Sequence, residues 1–542
     1  MNLVYKLMQK FFKEEWVAAI GIICTSILLT LLYANGLTAA ISKLILTVQE
    51  GKQIASYASL KWFALLSAFY LFFYYLYKIF QHKFLTKLRQ WIRKELLKRV
   101  LIQNNTNLSN LNFTKLVSPI NRLSTTLFTA TSDWLSYIIP AISFLFIISI
   151  YLLYTNLEVG GIFLIGNLII IGYFFLNRQS IVDTNRIYEE SVHSTEYYMQ
   201  EILNNIEKIL YFGQVKNEIK IFEDKTATTI DKAYNFYYNS AFHGTVMYSL
   251  VNIIVVGLIG YLISLHFNKK LPMLKFVTLI TILTVYRENM ETLIHQMSDT
   301  LECNGRIGLV LESLKIVECE VDEVDVVEDE NKLGEISEIK YENVSHKYTD
   351  EGPYVLKDLN VEMRISGGKI IGIRGDAGGG KSTMMKLLIK MYKPSKGRIL
   401  INGIDINEVS EYEIRRKIVY VDQKGKMLDR SIEENVLYGC SECKVGLERG
   451  RVGRVLSGVE KLGEKWSGGE RQVSNVLGGL LRVGVGGCQV LVLDEPTNGV
   501  DKELKEELKE KIREKAPLSS SIVIISHDAD VYDLMDETIM LN

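Results

Sequence analysis

Six apolar runs crowd the first 290 residues, and no other feature of the chain restricts its fold as much. Val17 to Ala34 is eighteen residues without a charge, and Trp62 to Tyr77, Trp134 to Thr155, Val159 to Leu176, Gly244 to Phe267 and Leu271 to Tyr286 are likewise rich in Leu, Ile, Phe and Tyr. Crossing about 30 Å of hydrocarbon takes roughly 20 apolar residues, with about 17 as the lower limit. Four runs reach that length; Trp62 to Tyr77 must borrow from its flanks, and the sixth is interrupted by Lys275. One such run fits a buried helix of a soluble protein, but six in succession do not. The first half is therefore expected to be α-helical, multi-pass and integral to a membrane, with lipid as its surroundings.

Basic residues are retained on the cytoplasm-like side of a bilayer. One set of connections holds Lys43, Lys52, Lys61, Lys269 and Lys270, whereas the other carries Lys6, Lys10 and Lys13, ten more from Lys78 to Arg122 and seven from Arg178 to Lys232. Both termini and the two long connections are expected inside. Those connections, Lys78 to Asp133 and Asn177 to His243, share a single proline (Pro119) and keep apolar residues at helical spacing, as in Phe84, Leu88, Trp91, Ile92 and Leu96. They are predicted to prolong the membrane helices beyond the bilayer and to reverse near Asn104 to Asn112 and near Gly213 to Asn217. The basic run Lys83 to Arg99 reads as a solvated helix face. With 62 Lys+Arg against 63 Asp+Glu the chain offers no global field to a polyanion, so nucleic acid is not an expected partner. Six scattered cysteines make no paired framework and point to reduced thiols.

Glu318 to Glu330 holds eight acidic residues and no base. It marks an exposed linker, placed at 318–334, between a transmembrane domain at 1–317 and a soluble domain at 335–542 whose β-like runs and Gly-rich loops predict an α/β nucleotide-binding fold. The strand-like Lys369–Arg374 leads into Gly375-Asp-Ala-Gly378-Gly-Gly380-Lys381-Ser382-Thr383, the P-loop pattern. Its glycines let backbone N–H groups turn on the phosphates of ATP, Lys381 reaches the terminal ones, and Ser382 ligates Mg²⁺. A second apolar strand, Val490 to Leu493, ends in Asp494-Glu495-Pro496, two carboxylates placed to hold the Mg²⁺ shell and to orient an attacking water, respectively. A third, Ile522 to Ile525, ends at Ser526-His527, and His527 is read as a γ-phosphate sensor.

With these residues in place the chain resembles a half-size ATP-binding cassette exporter, a P-loop ATPase behind six transmembrane helices. The distinctive stretch is Trp466-Ser467-Gly468-Gly469-Glu470-Arg471-Gln472, similar to the family signature L-S-G-G-Q. The resemblance implies that Ser467, Gly468 and Gly469 close over ATP held by a second chain, in a dimer that is expected to be a homodimer. It also assigns Tyr348 to adenine stacking, Gln423 to Mg²⁺, water and relay toward the membrane helices, and Asn498 to Asp501 to the loop crossing the dimer interface. Trp466 and Glu470 depart from the family pattern, only 42 residues separate Gln423 from Trp466, and the segment before the signature shrinks to Gly463-Glu464-Lys465.

Asn205 to Phe222, Val285 to Glu288 and Asn121-Arg122 resemble the mitochondrial iron–sulfur-linked half-transporters. That implies export of a glutathione-related sulfur compound, with Arg122 a candidate substrate contact, although the basic residue expected three positions later is Thr125. The N-terminus, with Lys6, Lys10 and Lys13 but also Glu14 and Glu15, makes a poor transit peptide. Residence in a mitochondrial or mitochondrion-derived inner membrane, or else in the plasma membrane, follows from these readings. A lipid or drug exporter is the alternative cargo reading, and an ATP-gated channel or non-transporting regulator the alternative from another class. Cys440-Ser-Glu-Cys443, with no second pair or nearby His, reads as two incidental thiols.

Overall fold

The computed structural model describes residues 2–103, 105, 116–313, 332–349, 351–376, 378–423, 426–440, 467–483, 485, 487–516 and 520–541. Trp466, Cys443, Gly463–Lys465, the acidic run Glu318–Glu330 and, apart from Asn105, the expected turn at Asn104–Asn112 lie outside them. Contacts divide the chain into two compact units, Met1–Val100 with Asn112–Cys319, and Leu101–Leu111 with Glu320–Asn542.

The described part of the first unit is helical. Helices α1 (Asn2–Glu14), α2 (Trp16–Leu31) and α3 (Thr38–Gln49) are followed by α4 (Gln53–Gln103), α5 (Val117–Asp133), α6 (Ile139–Thr155), α7 (Leu157–Asn204), α8 (Ile206–Tyr211), α9 (Val215–Phe267) and α10 (Met273–Ser313). Two π-helical segments, Leu32–Leu37 and Trp134–Ile138, join α2 to α3 and α5 to α6 without breaking the rod. At about 1.5 Å per residue, the 51, 48 and 53 residues of α4, α7 and α9 each make a rod of about 70–80 Å, more than twice a hydrocarbon core. The predicted prolongation of membrane helices is thus observed, and Gly213, at φ 64, sits in the turn between α8 and α9 where the sequence places it.

Among the described residues, five helical stretches are long and apolar enough to cross a membrane: Trp16–Gln49, Gln53–Ile102, Val117–Thr155, Leu157–Asn204 and Val215–Phe267. The sixth expected span falls in α10, which is continuous helix, but between Lys275 and Arg287 its apolar stretch is only eleven residues long. Their outward faces carry apolar side chains such as Phe146 and Leu176, 68% and 83% exposed, a surface that water would penalise and lipid would not. Inside, Leu3, Leu7 and Phe11 of α1 pack on the buried stripe Phe84, Leu88, Ile92 and Leu96 of α4, the helical spacing read from the sequence. The Phe11 and Phe84 rings meet edge-on at 5.0 Å.

The second unit contains two sheets. An antiparallel one takes the order β2 (Leu356–Arg364), β1 (Glu338–His346), β4 (Lys396–Ile401), β5 (Ile404–Asp405). The other runs β6 (Ile418–Val421), β7 (Val490–Asp494), β8 (Ser521–Ile525), β3 (Ile370–Gly375), β9 (Glu537–Leu541), with every neighbour parallel. Helices α11 (Lys381–Leu388), α12 (Glu411–Lys417), α13 (Ile432–Val436), α14 (Gly468–Leu480) and α15 (Lys502–Lys515) complete it. Parallel strands covered on both faces have no wet side, so β7 and β8 are buried along their whole length and read as unbroken apolar runs.

Candidate functional site

Parallel pairing brings the chemistry together. Because β3, β6, β7 and β8 point the same way, their C-terminal ends deliver the P-loop, Gln423, Asp494-Glu495 and Ser526-His527 to one edge of the sheet, where ligands of open α/β sheets bind. The P-loop begins at Gly375, where an added Cβ would lie 2.4 Å from the Leu541 carbonyl oxygen, and closes at Gly380, which caps α11 at φ 79 and would put a Cβ 2.5 Å from the Leu356 side chain. Gly378, at φ 82, supplies the third special conformation. Lys381 is buried, and its Nζ donates to the carbonyls of Gly375 at 2.9 Å and Asp376 at 2.7 Å, which holds the ammonium over the loop. The Thr383 Oγ1 lies 2.7 Å from the Tyr348 hydroxyl, so Tyr348, 40% exposed, stands beside α11.

Asp494 is buried and accepts a hydrogen bond on Oδ2 from the Tyr420 hydroxyl at 2.6 Å. Burial pushes its carboxyl above the ordinary range, while the hydroxyls of Ser382 and Tyr420 pull it back. Its Oδ1 is buried without a hydrogen-bond partner. An orphaned carboxylate oxygen beside a serine hydroxyl fits Mg²⁺, which is commonly held by one or two carboxylates and substrate phosphates rather than by a full protein cage. No cluster of three or more His, Cys, Asp or Glu suited to a metal occurs among the described residues.

Glu495 has φ 48, a left-handed conformation that a non-glycine residue adopts at a cost, and such strain gathers at functional sites. Its carboxylate is 9% exposed. Oε1 lies 2.5 Å from His527 Nδ1 and accepts from the His527 backbone N–H at 3.2 Å, and Oε2 accepts from the Ser526 hydroxyl at 3.2 Å. The histidine read as a phosphate sensor is therefore also the group that orients the carboxylate. Gln472 of α14 donates to the Glu495 backbone carbonyl at 3.1 Å. Gln423 is exposed at the sheet edge.

The signature residues Ser467, Gly468 and Gly469 open α14. Glu470, the departure from the family's glutamine, has a local function: Ser467 Oγ accepts from the Glu470 N–H at 3.2 Å and Glu470 Oε2 accepts from the Ser467 N–H at 2.8 Å, a reciprocal cap. Gly469 packs on the Gly499 carbonyl, where a Cβ would sit at 2.8 Å, whereas the space beside Gly468 is open. Asp501 ends the Asn498–Asp501 loop by capping α15 through its bond from the Leu504 N–H at 3.1 Å.

One expectation changes. Cys440 is disulfide-bonded, so it is not an incidental thiol. Reading Cys440 as incidental rested on the want of a second Cys pair or a nearby His, which bears on metal binding and not on whether a sulfur is bonded to another; Cys24, Cys303 and Cys488 are free. Arg122, a candidate substrate contact, donates to Glu196 at 2.9 Å and Glu189 at 3.1 Å. Arg306 closes on the other Glu189 oxygen at 2.9 Å through Nε and on Glu302 at 2.6 Å, so Arg122 belongs to a charge network of α5, α7 and α10.

Sequence reasoning also missed Arg415. Its guanidinium donates to Asn105 Oδ1 at 2.6 Å, to the Asn105 carbonyl, to Ile389 O at 3.0 Å and to Lys390 O at 3.0 Å, and Asn105 Nδ2 donates to Glu411 at 2.6 Å. A contact between positions 310 apart has no local signature.

Residues 359–498 match the family model described as ABC transporter, and residues 16–290 the ABC transporter transmembrane region. The chain is 32% identical to an ATP-dependent lipid A-core flippase of Methylococcus capsulatus over 30% of its own length and 29% of that protein. It is 30% identical to a leukotoxin translocation ATP-binding protein of Mannheimia haemolytica over 38% of its length and 30% of that protein. A probable ABC transporter ATP-binding/permease protein of Haemophilus influenzae is matched at 26% identity over 66% of this chain and 65% of that one. The chain thus spans about three tenths of the flippase that it matches. In fold it is similar to a bacterial Atm1-family ABC exporter solved with ATP bound, with a TM-score of 0.79, 19% identity, and coverage of 98% of this chain and 94% of that one.

Proposed function

The chain belongs to the ABC transporter family, and from that membership we propose that it is one half of a dimeric ATP-driven exporter whose two identical chains share each ATP site. The observation that carries the proposal is the convergence on one sheet edge of Lys381, Asp494, Glu495 and His527, with Glu495 strained, buried and held by three hydrogen bonds from Ser526 and His527. Lys381 and the P-loop N–H groups bind the phosphates, Tyr348 offers its exposed face to adenine, and Glu495, aimed by His527, takes the proton of the attacking water. Ser382, Asp494 and Gln423 would hold Mg²⁺, which when bound neutralises phosphate charge. Ser467, Gly468 and Gly469 of the partner chain close the site. Because the open and closed dimers bind ATP unequally, nucleotide shifts the pair toward closure, and hydrolysis returns it.

For cargo, the iron–sulfur-linked resemblance favours a glutathione-related sulfur compound exported from an organelle matrix. One observation favours the second reading, a lipid or uncharged drug-like cargo: the arginine nominated to meet an anionic tripeptide is already bridged to Glu189 and Glu196. Proteoliposomes test both levels. With Glu495→Gln, hydrolysis should fall by about 10²–10⁴-fold while ATP still binds, and uptake against a gradient should stop. A channel would keep equilibrating its solute in that variant. Isolated monomers hydrolysing ATP at full rate, indifferent to Ser467→Ala in a neighbour, would sink the shared-site reading.

A further inference from the structure

Three aromatic rings of the cassette meet beside α11: His346, Tyr348 and Tyr392. His346 ends β1 two positions before Tyr348, and the two rings stand 5.2 Å apart at 84°. Tyr392 lies in the segment that follows α11 and meets Tyr348 at 5.2 Å and 82°, and His346 at 5.7 Å. Near-perpendicular pairs at such distances are a favoured aromatic arrangement. At its other end Tyr348 is held by α11 itself, its hydroxyl 2.7 Å from Thr383 Oγ1.

His346 is 4% exposed, and its Nδ1 lies 3.0 Å from the Lys393 carbonyl oxygen. A carbonyl only accepts, so Nδ1 carries the proton and donates it. Burial holds this imidazole below its ordinary range, against a weaker upward pull from the same carbonyl, so at neutral pH the ring is uncharged and Nε2 is a bare acceptor. Nε2 is buried without a hydrogen-bond partner. That orphan costs free energy, and a phenylalanine would fill the space without it. What a phenylalanine lacks is the bond to Lys393, the neighbour of Tyr392.

These contacts close a circuit. His346 fixes the Lys393 carbonyl, the chain through Tyr392 runs back to α11, and Thr383 of α11 returns to Tyr348. Two more bonds join β1 to the same segment: the Ser395 N–H donates to the Ser345 carbonyl at 2.8 Å, and the Lys347 N–H to the Ser395 hydroxyl at 3.2 Å. The Tyr348 ring is thereby set relative to Lys381, which opens α11, before any nucleotide arrives. Ordering completed in advance does not weaken binding.

We propose that His346 and Tyr392 are positioning residues that hold the Tyr348 ring at a set distance from the P-loop, so that adenine and phosphates are met together. This rests on the reading of Tyr348 as the adenine platform. The test is calorimetric titration of the full chain in lipid nanodiscs, with EDTA present so that nothing is hydrolysed, by ATP and by tripolyphosphate, which has the phosphates and no base. Tyr348→Ala should weaken ATP about tenfold or more and leave tripolyphosphate within about twofold. His346→Phe and Tyr392→Leu should each weaken ATP about three- to tenfold with tripolyphosphate unchanged. In the Tyr348→Ala background His346→Phe should add nothing, because the ring that it serves is gone. Should one of the two variants fail to fold, the other decides. ATP affinity unchanged in them while Tyr348→Ala weakens it overturns the positioning roles and leaves the platform standing. Equal losses of ATP and tripolyphosphate, or an additive loss in the double variant, overturn those roles as well. Tyr348→Ala without effect on ATP refutes the platform itself, and this proposal with it.

Discussion

Glu189→Gln preserves shape and removes one charge from a side chain only 2% exposed, which makes it the sharpest probe of the network joining α5, α7 and α10. Glu189 lies thirteen residues past the last apolar position of its span, Leu176, so the network stands outside the membrane-spanning stretch. Its oxygens receive Arg306 at 2.9 and 2.8 Å and Arg122 at 3.1 Å. Breaking a fully buried pair costs about 3–5 kcal/mol. Here the two arginines are 21% and 32% exposed and retain Glu196 and Glu302, so the stranded charge is partly hydrated and partly shared. A loss of ~2–3 kcal/mol follows. One relief works the other way. The Glu302 carboxyl is raised, first by burial, with Glu189 a further cause. A carboxyl raised on folding adds stability at low pH that disappears as pH climbs through its folded value. Removing the Glu189 charge lowers that value, so the variant should also lose less stability on going from acid to neutral pH than this carboxyl costs the parent. Tryptophan fluorescence is a suitable readout, since Trp16, Trp62, Trp91 and Trp134 fall in the first unit and only Trp466 in the second. A midpoint lowered by about 3–5 °C is expected, and Glu189→Gln with Arg306→Met should cost less than the sum of the singles. A single variant within about 1 °C of the parent, or strictly additive effects, would refute the idea that this carboxylate ties the helices together.

Gly380→Ala should abolish ATP binding in a filter or fluorescence assay, because a Cβ there sits 2.5 Å from Leu356 and φ 79 strains any other residue. Arg415→Ala should leave ATP hydrolysis within about twofold yet lower cargo moved per ATP at least fivefold, since it frees Asn105 from the cassette unit; an unchanged transport-to-hydrolysis ratio would count against that role. Ser467→Ala should destabilise the start of α14 by about 1 kcal/mol, read as faster hydrogen exchange at Glu470. Tyr341→Phe removes a buried bond of 3.0 Å to the Met384 carbonyl and should cost about 1 kcal/mol in cassette unfolding.

What was legible in the sequence was whatever local geometry forces onto residue type. A loop that wraps phosphates must place glycines at Gly375, Gly378 and Gly380, and a strand buried on both faces must be apolar until it delivers Asp494 and Glu495, so these sites could be read by spacing. The long helices could be read because apolar residues repeat at helical period through Phe84, Leu88, Ile92 and Leu96. The partners of charged groups could not. Arg122 meets a carboxylate 67 positions away, and nothing near it distinguishes a structural arginine from a cargo-binding one. The π-helical segments were equally hidden, because Leu32–Leu37 and Trp134–Ile138 have the composition of the helices around them.

That blindness to pairing bears directly on what the membrane half carries. Counting basic residues orients the helices, yet it overstates how much positive charge is offered to a solute. Arg122 and Arg306 converge on Glu189, Lys10 bridges Glu95 at 3.2 Å, and Lys87 reaches Glu15 at 2.5 Å. An anionic cargo binding at any of these points would have to displace an intramolecular carboxylate, losing as much as it gained. Sensitivity of binding to ionic strength tests this. A ligand competing for Arg122 should weaken as salt screens it, whereas an uncharged solute should bind equally at low and high salt.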